Sequence, residues 1–187
     1  MIAAVTDNEG RIVGRQYKPL NADLSAKDGI EPKTKNGVGD KLKGYAIRLG
    51  PAWETLYLAE GLEDAMTVMQ AFDMSVTAFA VGGAGMMDGF IPPKGTREIV
   101  ILADRDEKGI QSAAKAVEWF GALGLTVRVA RPPEDFKDFN AAVTGTLDAA
   151  LDKAQAAVRA AVEAAEVCFV SPFSENGAHK SRHSMTA

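Results

Sequence analysis

A chain of 187 residues has room for one full α/β domain with appendages, not for two complete domains. With 47% apolar and 25% charged residues it can pack a core unaided, and its single cysteine, Cys168, excludes a disulfide framework or a cysteine-rich zinc site built from this chain alone. A net charge of −4 excludes a protein that coats nucleic acid through bulk electrostatics, although not a local basic surface.

Residues 1–10 show neither the basic nor the apolar region of a signal peptide. The apolar run at 154–165 is broken by Arg159 and Glu163, well short of the roughly 18 apolar residues of a membrane span. The expected location is cytoplasmic. Residues 2–20 predict a β-hairpin turning at Asp7-Asn8-Glu9-Gly10. Residues 21–44 predict a loop, and from Lys27 to Arg48 six basic residues face three acidic ones. Lys33, Lys35, Lys41, Lys43 and Arg48 are therefore candidate contacts to a phosphate backbone, against the alternative of a solvated lysine-rich loop. A short strand, YAIRLG, closes this N-terminal segment of residues 1–50.

From Thr55 strands and helices alternate, the mark of a parallel sheet covered on both faces. Four strands are predicted, at TLYLAE, VTAFAV, REIVILAD and LTVRVARPP. The first crossover helix presents Leu62, Ala65, Met66, Met69 and Phe72 inward, and the helix over 107–123 presents Ile110, Ala113, Ala114, Val117 and Phe120. A short helix is predicted over 136–143 and a longer one over 147–167. The domain plan is an α/β core over 51–145, a C-terminal helix over 146–170 and a polar, aperiodic tail over 171–187 that holds both histidines.

In open parallel sheets ligands bind beyond the carboxyl ends of the strands. Glu60 ends the first strand, and Asp104 and Asp106 follow the third, so the three carboxylates are expected at one edge. Two carboxylates about 4 Å apart repel by roughly 4 kcal/mol at an effective dielectric near 20, a penalty that a divalent cation removes. Hard oxygen donors without His or Cys suit Mg²⁺ or Mn²⁺. Asp104 and Asp106 point the same way if the strand continues that far; alternatively Asp106 caps the helix that follows.

The segments YLAEGLEDAMT, FAVGGAGM, VILADRDEKGIQSAAKAV and VRVARPPEDFKDFNAAV together resemble the Toprim domain, most closely that of phage, plasmid and mobile-element primases, over residues 55–143. The resemblance implies a Toprim (Rossmann-like) sheet, with Glu60 as metal ligand or general acid/base and Asp104 and Asp106 holding Mg²⁺. It further implies Asp138 as an additional or outer-shell ligand, Arg105 and Lys137 as nucleotide or nucleic-acid contacts, and Gly61, Gly82 and Gly109 as small positions. The implied function is primer synthesis on single-stranded DNA template from nucleotides, with a helicase or zinc-binding domain as possible partner chains. A metal-dependent nuclease and a non-catalytic nucleic-acid-binding module stay open. A topoisomerase lacks a DNA-gate domain and a well-placed tyrosine. Gly89 falls one place late for a dinucleotide-binding glycine motif.

Overall fold

The computed structural model of the chain describes residues 1–17, 42–83, 85–144, 146 and 148–173. The predicted hairpin forms from Ile2–Thr6 (β1) and Ile12–Tyr17 (β2), paired antiparallel. Its turn is held by Asp7, whose Oδ1 accepts the backbone N–H groups of Glu9 (3.0 Å) and Arg11 (2.9 Å). A bridge between Thr6 and Ala46 connects the hairpin to the chain entering the main sheet.

That sheet has six strands: Ile47–Arg48 (β3), Thr55–Ala59 (β4), Ala78–Ala80 (β5), Glu98–Leu102 (β6), Thr126–Ala130 (β7) and Glu166–Phe169 (β8), in the order β3-β5-β4-β6-β7-β8. The four strands expected from the sequence form its parallel centre, β5-β4-β6-β7, and β3 and β8 close the edges antiparallel. Helices Leu62–Ala71 (α1), Glu107–Ala122 (α2) and Asp148–Glu163 (α3) complete the fold. Strand alternation sorts the core into two layers. Leu56, Leu58, Ile99, Ile101, Val127 and Val129 share one layer with Ala113, Ala116 and Phe120 of α2. Ala59, Val100, Leu102 and Ala130 share the other with Leu62, Ala65, Val68 and Met69 of α1 and Val158 and Val162 of α3. Each fully buried Leu or Ile contributes about 1.5–3 kcal/mol by leaving water.

The structure corrects several expectations. Met66, Ile110 and Ala114 are exposed; the buried faces run through Leu62, Ala65, Val68 and Met69 in α1 and through Gly109, Ser112, Ala113, Ala116 and Phe120 in α2. Residues 136–143 form bends and then turns without a helix, although Phe139 and Ala142 are buried there. The C-terminal helix stops at Glu163 and residues 166–169 pair with β7 as β8, because β7 would otherwise present an unpaired edge. Among the described residues no helix is long and apolar enough to cross a membrane. Lys33, Lys35 and Lys41, most of the predicted 21–44 loop and the tail beyond Phe173 lie outside the described residues.

Candidate metal centre

The register of the central strands decides which acids meet. Ala59 lies opposite Leu102, and Leu102 opposite Ala130, so Glu60, Asp104 and the loop from Arg131 all emerge at the same rim. The glycine segment emerges there too: the Gly82 N–H donates to the Glu60 carbonyl at 3.0 Å, and Gly82 takes a left-handed φ of 84° that turns the chain.

Asp104 is half-buried at this rim. Burial pushes its carboxyl up to about 7, and the negative charges of Asp64, Glu60 and Asp138 push in the same direction, against a smaller opposing effect of Lys137. Asp64, on the first turn of α1, is itself raised by burial, and its Oδ1 accepts the Asn140 N–H at 3.0 Å. The chain returning from β7 thus carries Asp138 past the β6 tip and docks on α1.

Asp106 takes a different place. β6 ends at Leu102, so the strand does not reach far enough to point Asp104 and Asp106 the same way. Asp106 is instead the N-cap of α2: its Oδ1 accepts the Gly109 N–H at 2.8 Å. Its Oδ2 lies 3.2 Å from Lys137 Nζ. The Gly109 N–H and the Lys137 ammonium hold its carboxyl below the usual range, and Asp106 in turn raises Lys137.

Close packing explains one of the small positions. A β-carbon at Gly109 would meet Asp104 Cβ at 2.6 Å and its carbonyl oxygen at 2.7 Å, so the glycine lets the start of α2 press against the chain leaving β6, whereas one at Gly61 would meet only the side-chain end of Asp64, which can turn away.

The Toprim-domain profile matches residues 55–149, just over half of the chain. The chain belongs to the Toprim-domain family. No curated protein sequence matches it. Among solved structures, bacteriophage T7 primase domains bound to an RNA/DNA hybrid and dTTP share its fold, with a TM-score of 0.60 and 20% identity over 89% of this chain and 78% of that one. The DnaG primase catalytic domain bound to ssDNA aligns with a TM-score of 0.58 and 18% identity, over 89% of this chain and 53% of that one. The RNA polymerase domain of Mycobacterium tuberculosis DnaG aligns with a TM-score of 0.54 and 22% identity, over 89% and 55%. This Toprim chain therefore spans about half the length of the two DnaG structures.

Of the basic residues singled out in the Toprim chain, Lys43 pairs with Asp88 at 2.9 Å. Arg48 stacks over Phe79 and donates from Nη2 to the Asn8 carbonyl at 2.6 Å, fastening the hairpin turn to the sheet. Arg105 donates to the Pro132 carbonyl. Only Lys137 of the four contacts a predicted metal-site acid, Asp106.

Asp64 was missed by the sequence reading. Its signal was present, since in EGLED it lies one helical turn after Glu60-Gly61, on the face of α1 that turns to the strand tips. The donor set fits a hard divalent cation: Glu60, Asp64, Asp104 and Asp138 offer only carboxylate oxygens, and burial together with the negative charges of the other three raises the proton affinity of Asp104. Among the described residues no three acids form a ready-made cage. Mg²⁺ does not need one, because it keeps several waters and is bound by one or two carboxylates together with substrate phosphates.

Proposed function

We propose that this chain is the catalytic Toprim core of a DNA primase, joining nucleotides on a single-stranded DNA template in a Mg²⁺- or Mn²⁺-dependent nucleotidyl transfer. The observation that carries the proposal is the emergence of Glu60 and a half-buried Asp104 at one carboxyl rim of the sheet, where the loop that bears Asp138 also arrives and Asp64 and Asp138 add negative charge. Asp104 and Asp138 would hold the ion, with Asp106 supporting it from the start of α2. When bound, the ion supplies positive charge for the nucleotide phosphates. Glu60 serves as a further ligand or as the group that takes the proton of the attacking 3′-hydroxyl, whose oxygen bonds to the nucleotide α-phosphorus as pyrophosphate leaves. Lys137, exposed beside Asp106, meets the phosphates as a point charge, and Lys33, Lys35, Lys41 and Lys43 are the candidate contacts to the template backbone. The T7 primase domains bound to an RNA/DNA hybrid and dTTP, and the DnaG domain bound to ssDNA, support this choice of ligands through their shared fold. A helicase and a zinc-binding domain are the partners that belong to the same proposal.

The test uses the purified chain with single-stranded template, nucleotides and Mg²⁺ or Mn²⁺. Short oligomers should form, and Asp104→Asn should abolish them while the protein stays folded. Cleavage of the template in the same buffer would replace the primase with a nuclease. Template binding with no reaction in either protein would leave a binding module.

A further inference from the structure

The loop leaving β7 begins Arg131-Pro132-Pro133, and neither proline has an N–H to pair with the neighbouring backbone. The Pro132 carbonyl accepts two donors from one side chain, Arg105 Nε at 3.0 Å and Arg105 Nη2 at 2.7 Å. At the other end of the loop the Lys137 carbonyl accepts the Arg105 backbone N–H at 2.8 Å. A single residue between the two acids of Asp104-Arg105-Asp106 therefore grips both ends of residues 132–137. Beyond it, the Ala141 N–H donates to Asp138 Oδ1 at 2.7 Å and the Asn140 N–H to Asp64 Oδ1 at 3.0 Å, which fastens the far side of the loop to α1. Lys137 and Asp138 stand between these fastenings, and both act on the charge of Asp104.

We infer that Arg105 is a positioning residue: its guanidinium straps the 132–137 loop to the β6 tip and so sets where Lys137 and Asp138 stand relative to Asp104. The inference rests on the metal centre proposed above. Arginine suits the task because its planar fork aims two donors at one carbonyl, which a lysine ammonium does not reproduce. A guanidinium committed to backbone in this way orders a loop rather than recruiting a phosphate.

The test compares the full-length wild type with Arg105→Ala and Arg105→Lys by two readouts that need no turnover. Hydrogen exchange of the metal-free protein follows the amides of residues 134–140, and paramagnetic titration follows Mn²⁺ binding. Arg105→Ala should speed exchange in that segment alone and weaken Mn²⁺ binding about tenfold, as loss of an outer-shell partner does. Arg105→Lys should fall between the two. Unchanged exchange in Arg105→Ala overturns the strap and leaves the metal centre standing. A loosened loop with unaltered Mn²⁺ affinity overturns the positioning role. A wild type that binds no Mn²⁺, with a loop that still loosens in the variant, keeps the strap and removes the metal centre.

Discussion

Gly109 abuts Asp104 so closely that a β-carbon at position 109 would stand 2.6 Å from Asp104 Cβ and 2.7 Å from its carbonyl oxygen. The first turn of α2 is thereby pressed flat against the chain leaving β6, and the N–H of the same glycine caps onto Asp106. One residue sets the separation between the two acids of the motif.

Gly109→Ala should therefore push α2 and the Asp104 backbone apart. Backbone atoms cannot swing aside as a flexible side chain does, so an overpacking cost of about 1–3 kcal/mol is expected. Urea denaturation would measure it, and a midpoint equal to wild type would show that the helix start shifts freely.

Asp106 has a capping role that can be separated from any role toward an ion. Asp106→Ala should cost about 1 kcal/mol of stability through loss of the N-cap. Asp106→Ser restores an acceptor for the Gly109 N–H without restoring the charge, so it should recover most of the stability and none of the Mn²⁺ affinity. Equal affinities in Asp106→Ser and wild type would confine Asp106 to the cap.

The raised Asp104 carboxyl makes stability depend on pH. Its folded value of about 7 exceeds the ordinary aspartate value of 3.8, so between these limits the folded chain keeps a proton that the unfolded chain has lost. Stability should then fall as pH rises through this window, with the penalty absent below it and complete above it. Asp64, also raised, adds in the same direction. Asp7 and Asp106, both held low, act with the opposite sign, their stabilisation being lost only as pH falls through their own lower values. In metal-free buffer the thermal midpoint should be lower at about pH 8 than at about pH 5, and Asp104→Asn should flatten the difference. Added Mg²⁺ should raise the wild-type midpoint at the higher pH and leave that of Asp104→Asn nearly unmoved. A wild-type midpoint that rises across the same range would refute the crowding of these acids.

Asp64 links α1 to the returning loop through the Asn140 N–H. Asp64→Ala should cost about 1 kcal/mol, because that partly buried N–H loses its acceptor. Asp64→Asn keeps an acceptor but removes the largest neighbouring negative charge on Asp104, so carboxyl-carbon NMR should find the Asp104 titration shifted down. An unshifted titration in Asp64→Asn would place Asp64 outside the group.

Much of this molecule is written in local sequence. The apolar runs at 55–60, 76–81, 97–104 and 125–130 are strands because both of their faces must be covered, and the acids that follow them fall at one rim because parallel strands all end on the same side. Periodicity also marked the three long helices, although not their rotation. Met66 and Ile110 lie on the right helices and the wrong faces, since the buried arc is set by what packs against the helix: α3 and the sheet against α1, and the close approach at Gly109 against α2.

Tertiary structure alone decided the rest. Nothing between Glu163 and Glu166 breaks the alanine-rich helix as proline or glycine would, and the strand that follows exists because the edge of β7 is there to be paired. Asp64 carries a spacing signal in EGLED, but it is the returning loop, docked through the Asn140 N–H, that brings Asp138 to it. Arg105 and Arg48 look like phosphate ligands in a list of basic residues, yet each donates to a backbone carbonyl far away in sequence. Composition and period are properties of neighbours along the chain, whereas the partner of a charge is whichever group the fold brings to it.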